Sequence, residues 1–319
     1  MAEPRPKRRW LRWSLRVVIV VGLLVAIAYG VLLWMLPGAI TYAPNAKKEI
    51  TAAGDPSPAE LRALGAAHHL RVAVKAPIAS LSLLVLDPPS GKPVATVIVF
   101  HGIRDSKLSM LGFGRRLTHE GYRVILLDNR GHGLSSGRIL SFGVFERDDA
   151  KAVLDALEAR GLLVGPVGAL GFSYGGSVAI QLGALDSRVK AVVAVSTFAS
   201  MRAVVKNYVR LFAPGVGLLL SEERLNTAID DAAKAGGFDP EQANTAKAAG
   251  RLKVPLLVMH GGADLKIPTA HSETICRAAG ERCRRVVVPG EGHDSMLADG
   301  SGIVWRETRR FLARVLKVR

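Results

Sequence analysis

Short, almost wholly apolar runs alternate with helical segments along most of this 319-residue chain, and no other feature restricts its fold as much. Val94–Phe100 and Tyr122–Asp128 are apolar at nearly every position, as expected of strands that are buried on both faces. Phe145–Arg160, which follows them, carries its apolar residues at helical spacing. Strands alternating with helices predict an α/β fold with a mostly parallel central sheet and helices on both faces.

The other predicted strands follow from the same pattern, and the first two of the chain are expected to form a hairpin. They are Leu70–Lys75, Leu81–Leu86, Val167–Phe172, Val189–Ser196, Pro255–His260 and Arg285–Val288. Residues 198–253 interrupt the alternation with a stretch that lacks a strong strand pattern. Short helices are predicted there at Val204–Phe212, Leu218–Leu225 and Thr227–Ala235. An insertion of this length favours a helical cap or lid over the sheet edge, and a surface excursion without function is the alternative.

The N-terminal region contains twenty consecutive residues without a charge, Val17–Leu36, which is long enough to cross a bilayer as a helix. Pro37 and Gly38 are predicted to end that helix. Residues 1–16 carry six basic side chains and one acidic one, so the positive-inside tendency predicts a cytoplasmic N-terminus. The resulting organisation is a basic N-terminus (1–16), a transmembrane anchor (17–36), a linker with one short helix (37–69) and an extracytoplasmic folded domain (70–319).

A cleaved signal peptide is the alternative to the anchor, because Ala26-Ile27-Ala28 imitates a cleavage site with small residues. The apolar run continues beyond that point to Leu36, further than a usual signal peptide, which favours an uncleaved anchor. The sequence does not indicate an oligomeric state.

The formal net charge of +16 does not indicate a nucleic-acid partner, because no binding motif is found and only 6% of the residues are aromatic. The two cysteines, Cys276 and Cys283, lack the paired spacing of a zinc site, and no metal or cofactor is predicted. An exported domain is compatible with a disulfide between them, but the sequence leaves paired and free cysteines equally open.

Gly171-Phe172-Ser173-Tyr174-Gly175 lies where a predicted strand ends and a helix begins, a context that exposes a nucleophilic serine. A serine hydroxyl needs a base to take its proton. Of the eight histidines, His293 follows the last strand on a glycine-rich loop, and it is the one placed late enough at the correct sheet edge. We predict Ser173 as the nucleophile and His293 as the base.

The base requires a carboxylate to fix its tautomer, and Asp264 lies just beyond the strand that precedes the last one. Glu291 and Asp294 are rivals by proximity, but positions that flank His293 in so short a loop point poorly at its ring. Two backbone amides are expected to stabilise the oxyanion, those of Tyr174 and Ile103.

From about residue 70 to 316 the chain resembles the α/β-hydrolase superfamily. The resemblance rests on four motifs in order: His101-Gly102-Ile103, Gly171–Gly175, Gly261-Gly262-Ala263-Asp264 with Pro268, and Gly290-Glu291-Gly292-His293. The segment 128–135 (DNRGHGLS) is similar to a loop of lipase-like and serine-aminopeptidase-like members. In those members the loop is structural, which implies that Arg130 is an ion-pair partner.

The resemblance implies an α/β-hydrolase fold with a helical cap and a serine hydrolase that acts through an acyl-enzyme. The expected substrate is a small-molecule carboxylic ester or thioester, and the anchor and apolar insertion hint at a lipid-like acyl group. A peptidase or amidase with the same residues is one alternative. A catalytically silent, membrane-tethered binding or scaffold protein is another.

Overall fold

The computed structural model describes residues 7–45, 54–75, 77–215 and 220–316. The strands in these ranges are β1 (His68–Lys75), β2 (Ile78–Leu86), β3 (Ala95–Phe100), β4 (Tyr122–Leu127), β5 (Val167–Phe172), β6 (Val189–Val195), β7 (Leu256–Gly261) and β8 (Cys283–Val288). The helices are α1 (Lys7–Thr41), α2 (Pro58–Leu64), α3 (Leu111–His119), α4 (Val144–Glu158), α5 (Tyr174–Leu185), α6 (Met201–Phe212), α7 (Glu222–Gly236), α8 (Thr245–Arg251), α9 (Ala270–Ala279), α10 (His293–Ala298) and α11 (Ile303–Val315).

These strands form one sheet in the order β1-β2-β4-β3-β5-β6-β7-β8. The pairs β1–β2 and β2–β4 are antiparallel, whereas β4, β3, β5, β6, β7 and β8 are parallel to their neighbours. The predicted mostly parallel sheet is confirmed. Because parallel strands end at the same edge of a sheet, the loops after β3, β5, β7 and β8 are brought together.

The inner strands β3, β4, β5 and β7 are buried at every residue because helices cover both faces of the sheet, which explains why they lack polar alternation. The edge strands β1 and β8 are partly exposed. Along β3, Ile98 and Phe100 belong to one core layer, and Val97 and Val99 to the other. The first layer includes α4, α5 and α9, and the second includes α3 and α11.

Helix α1 continues through Pro37 to Thr41, so the prediction that Pro37 and Gly38 end it is wrong. A proline removes one backbone donor, but the turns around it are stabilised by packing against the domain. Thr41 is buried, and the fully buried Ala43 just beyond the helix donates its amide to the Arg138 carbonyl at 3.3 Å. The first part of the segment predicted as a linker therefore lies against the folded domain.

The insertion between β6 and β7 contains α6, α7 and α8, each with a polar N-cap side chain that accepts a backbone hydrogen bond. The prediction of two helices separated near residue 226 is wrong for the described residues, since α7 is continuous from Glu222 to Gly236. Leu225 and Ile229, one helical turn apart, are both buried, and this packing outweighs the lower helix propensity of the Asn226-Thr227 pair. Residues 216–219, where the first of the two predicted helices begins, are outside the described ranges.

The two cysteines that the sequence left open form a disulfide, Cys276–Cys283. It joins the last turn of α9 to the first residue of β8, next to the short 3₁₀ turn Gly280–Arg282.

Candidate active site

Ser173 occupies the turn between β5, which ends at Phe172, and α5, which begins at Tyr174. Its φ of 50° is unusual for a residue with a side chain and costs about 1–3 kcal/mol. A Cβ on Gly171 would overlap the backbone of Gly175, and a Cβ on Gly175 would overlap the Phe100 carbonyl. Glycine at both positions therefore permits the tight turn, and the turn presents the serine at the carboxyl edge of the sheet.

The structure brings Ser173, His293 and Asp264 into one hydrogen-bonded series. His293 Nε2 lies 3.0 Å from Ser173 Oγ, and His293 Nδ1 lies 2.7 Å from Asp264 Oδ2. The carboxylate can only accept, so Nδ1 carries the proton and Nε2 presents a lone pair to the serine hydroxyl. This is the arrangement in which a histidine can remove the proton of an attacking serine.

The Asp264 carboxylate is fully buried and is held by a second contact. Its Oδ1 accepts the amide hydrogen of Ile267 at 2.8 Å, which leaves Oδ2 directed at His293. His260 lies 3.5 Å from the same oxygen, and burial lowers its pKa, so that this neighbour stays neutral. The environment thus fixes which carboxylate oxygen faces the imidazole.

The two rival acids lie beside His293 in the sequence but form no hydrogen bond with its ring among the described residues. Asp294 pairs with Lys266, with Nζ–Oδ distances of 2.7 and 2.8 Å, and its side chain is 78% exposed. The hydrogen bond from Lys266 lowers the pKa of Asp294. Glu291 contributes its backbone carbonyl, which accepts the Ala263 amide at 2.8 Å.

The two amides predicted to bind an oxyanion lie on either side of Ser173. Tyr174 is the first residue of α5, so its amide has no acceptor within the helix. Ile103 follows Gly102, whose Cβ position would be 3.7 Å from Ser173 Cβ, and no hydrogen bond from the Ile103 amide is found in the described part of the chain. Neither amide has another acceptor among the described residues, and their role as oxyanion donors stays a prediction.

The loop that carries Ile103 is held by a buried histidine. His101 Nε2 accepts the amide hydrogen of Asn129 at 3.0 Å, and the Asn129 side chain donates back to the His101 carbonyl at 3.2 Å. Burial lowers the pKa of His101 to about 4, which keeps the ring neutral and able to accept. The position of the first loop is thereby tied to the loop after β4.

Arg130 stabilises the loop after β4 through a buried ion pair, in agreement with the role that the family resemblance implies. Its Nε and one terminal nitrogen donate to the two Asp149 oxygens at 2.7 and 2.6 Å, and both side chains are at most 6% exposed. Asp128 in the same loop is buried in an ion pair with Lys107 and accepts the Leu134 amide at 2.8 Å. These contacts are structural and do not reach Ser173.

A cavity of about 520 Å³ opens at Ser173 and His293, within the range of roughly 300–1,000 Å³ typical of small-molecule sites. Most of its lining is apolar and comes from the cap helix α6, the loop after β3 and the end of α1. Its lining includes Leu36, Ile103, Phe142, Val205, Val209 and Phe212. Polar groups are concentrated around the catalytic candidates and in Arg104, Asp105, Lys266 and Asp294.

Tyr208 on α6 is a site residue that the sequence analysis missed. It lines the cavity together with Ser173, and burial raises its pKa to about 12 with a smaller contribution from the Asp264 charge. The sequence carried no signal for it, because α6 is amphipathic and polar side chains such as Lys206 and Arg210 are ordinary there.

The cap helix is also joined to the core by His271 on α9. His271 Nδ1 accepts the Ala199 amide at 3.0 Å, and its Nε2 lies 2.7 Å from the Asn207 side chain of α6. Burial lowers the pKa of His271 to about 4.

The described residues contain no group of three or more His, Cys, Asp or Glu side chains that could hold a metal ion. One helix among them, over Trp13–Thr41, is long and apolar enough to cross a membrane. A signal sequence near an N-terminus satisfies the same criteria.

Comparisons with known proteins agree with this architecture. The sequence model of the family described as "Serine aminopeptidase, S33" matches residues 91–235. The Escherichia coli protein YfhR is 28% identical over 223 residues, which are 69% of this chain and 70% of that protein.

Among solved structures, the Pyrococcus furiosus esterase Pf2001 is 21% identical with a TM-score of 0.64, covering 82% of this chain and 96% of its own. Porphyromonas gingivalis dipeptidyl peptidase 4 is 17% identical with a TM-score of 0.57, covering 78% of this chain and 35% of its own. The sheet order, the match to the family model over residues 91–235 and these structural neighbours together show that the chain has the α/β-hydrolase fold.

Proposed function

We propose that this hydrolase is a membrane-anchored serine esterase or thioesterase that acts through an acyl-enzyme. The observation that carries the proposal is the hydrogen-bonded series from Ser173 to His293 to Asp264, with distances of 3.0 and 2.7 Å, at a strained strand-to-helix turn. Two amides without another acceptor beside the same hydroxyl add to this support.

In the proposed reaction Ser173 Oγ attacks the acyl carbon while its proton moves to His293 Nε2. The carbonyl oxygen becomes an oxyanion that accepts from the amides of Ile103 and Tyr174. His293 then gives the proton to the leaving alcohol or thiol as the bond from the acyl carbon to that group breaks. Water, deprotonated by His293, releases the acid from Ser173, and Asp264 stabilises the imidazolium in both steps.

The apolar lining of the cavity supports an ester with an apolar acyl group as the substrate. An aminopeptidase is the second candidate, because the matching family model carries that description. A peptide amino terminus is a cation and requires a carboxylate in the pocket. Of the two carboxylates that line the cavity, Asp294 is paired with Lys266, so Asp105 alone is left to balance the charge of an amino terminus against a mostly apolar lining. This favours the ester.

We further propose the topology that the N-terminal charge pattern predicts, with residues 17–36 as an uncleaved span and the hydrolase domain from about residue 70 on the extracytoplasmic side. The Cys276–Cys283 disulfide supports it, because such bonds persist mainly in oxidising compartments. Digestion of a C-terminal tag by protease added to intact spheroplasts is expected, and protection of the tag would contradict the topology.

The function is tested with a fluorophosphonate probe, followed by a panel of p-nitrophenyl esters, thioesters and aminoacyl amides. Wild-type protein and the surface control Ser187→Ala are expected to be labelled and to cleave esters, whereas Ser173→Ala is expected to do neither. Faster cleavage of the amides than of the esters would favour the peptidase. Absence of labelling and of turnover in the wild type would favour a silent binding protein.

A further inference from the structure

The C-terminal turns of α1 differ in environment from the rest of that helix. Every residue from Trp13 to Ala28 is exposed, whereas Tyr29, Leu32, Leu36 and Ile40 are half-buried. These four recur at intervals of three and four residues and so share one face of the helix. That face contacts α7, where Arg224 lies over the Tyr29 ring at 5.7 Å. The anchor helix is therefore packed against the domain before it ends.

The same turns reach the cavity at Ser173. Leu36, Ala39 and Ile40 line it together with the cap helix residues Val209 and Phe212. Leu36 and Ile40 also contact the main core cluster, so this part of α1 is fixed relative to Ser173. The apolar side of the cavity is thus shared between the cap and the anchor.

The length of the span places this wall close to the bilayer. A hydrocarbon core of about 30 Å requires roughly twenty helical residues. The proposed span, residues 17–36, has this length and ends at Leu36, where the lining of the cavity begins. Phe212 at the end of α6 is 63% exposed and lies at the same cavity, so an apolar surface continues from the membrane side to the site.

We propose that the last turns of α1, residues 36–40, form a wall of the acyl-binding site, so that the anchor contacts the substrate's acyl chain and contributes to the choice of its length. The inference rests on the proposed function, since it assigns the acyl chain that is transferred to Ser173. In this arrangement the helix that attaches the enzyme to the membrane is also part of its specificity pocket.

The direct test is photo-cross-linking of the full-length protein with a dodecyl fluorophosphonate that carries a diazirine at the end of its chain. The probe attaches to Ser173 Oγ with loss of fluoride, and illumination then marks the residues that contact the chain. Cross-links to residues 34–41, absent in Ser173→Ala, are expected by peptide mass spectrometry. Labelling of Ser173 with cross-links confined to other segments would overturn the inference and leave the proposed function intact. A failure of the probe to label Ser173 would overturn both.

The acyl chain of the substrate can belong to a lipid in the bilayer or to an ester dissolved in water. The probe is therefore supplied in two ways, each of which imitates one of these sources. It is either preloaded into vesicles that contain the enzyme or added from water to enzyme in detergent. Cross-links to residues 34–41 support the wall in either arm, and the arm with faster labelling identifies the source of the chain.

A pair of matched substitutions provides an independent readout. Ala39→Trp fills the cavity beside the proposed chain, whereas Ala28→Trp places the same side chain on the exposed part of α1. The kcat/KM ratio of p-nitrophenyl laurate to acetate is expected to fall roughly tenfold or more in Ala39→Trp and to stay unchanged in Ala28→Trp. An unchanged ratio in Ala39→Trp protein that is still labelled by the probe would overturn the inference.

Discussion

Replacing Asp264 by asparagine tests the proposed role of this carboxylate at almost constant shape. The two contacts of the side chain fix how the asparagine must lie. The Ile267 amide donates to Oδ1 at 2.8 Å, so the amide oxygen of the new residue has to occupy that position. Its NH₂ group then faces His293 Nδ1 in place of Oδ2, which accepted at 2.7 Å.

An NH₂ group at that position is a donor, so His293 must accept at Nδ1 and carry its proton on Nε2. The ring then presents N–H to the hydroxyl of Ser173 and cannot remove its proton. Loss of the correct tautomer lowers the rate by about 10⁴-fold in a serine triad. At 1.36 kcal/mol for each factor of ten, this corresponds to about 5.5 kcal/mol of transition-state stabilisation.

The assay is kcat/KM with a p-nitrophenyl ester, measured beside the controls Asp294→Asn and Glu291→Gln. Asp294 is part of an exposed pair with Lys266, so its substitution is expected to change the rate by no more than about threefold. A loss of less than about tenfold in Asp264→Asn, or a larger loss in either control, would refute the assignment of Asp264.

Three further predictions concern the surroundings of the site. Arg130→Met leaves the Asp149 carboxylate buried and unpaired, and it should lower the free energy of unfolding, measured by urea titration, by about 3–5 kcal/mol. The double variant Arg130→Met with Asp149→Leu should recover most of that loss, and no recovery would contradict the ion-pair account. The pKa of His271 is lowered to about 4, so the unfolded state binds more protons than the folded state between about pH 4 and 6.5, and stability falls as the pH falls through that window. Between pH 7 and pH 5 the wild-type protein should therefore lose about 2 kcal/mol more of its unfolding free energy than His271→Gln. Equal losses in the two proteins would exclude the contribution of His271 to this pH dependence. Tyr208→Phe removes a hydroxyl that lines the cavity together with Ser173 and should lower kcat/KM by about fivefold, whereas the exposed-residue control Tyr42→Phe should leave it unchanged. An equal kcat/KM in Tyr208→Phe would show that the hydroxyl is not used.

The parts of the fold that depend on local chain chemistry could be predicted from the sequence. The bounds of β5 agree with the prediction at both ends, and α5 begins directly after Ser173 as predicted, because two glycines and a serine between an apolar strand and a helix permit few other conformations. The meeting of Ser173, Asp264 and His293 follows from the parallel sheet, which brings the ends of β5, β7 and β8 to one edge. Their chemical roles stay predictions.

The parts that were missed depend on contacts between segments distant in sequence. The local sequence at Pro37 predicts the end of a helix, but α1 packs against the domain and continues four residues further, to Thr41. In the sequence, Tyr208 is an ordinary member of an amphipathic cap helix. Its position in the same cavity as Ser173 depends on how α6 lies over the sheet. No local pattern contains that information.

The central claim is that Ser173 forms a covalent acyl-enzyme, and trapping that intermediate tests it most directly. The protein is mixed with a p-nitrophenyl ester, quenched in acid within the first turnover and analysed by peptide mass spectrometry. The account predicts the added mass of the acyl group on the peptide that contains Ser173, and no such mass in Ser173→Ala. Equal acylation of both proteins, or ester turnover by Ser173→Ala at the wild-type rate, would contradict it.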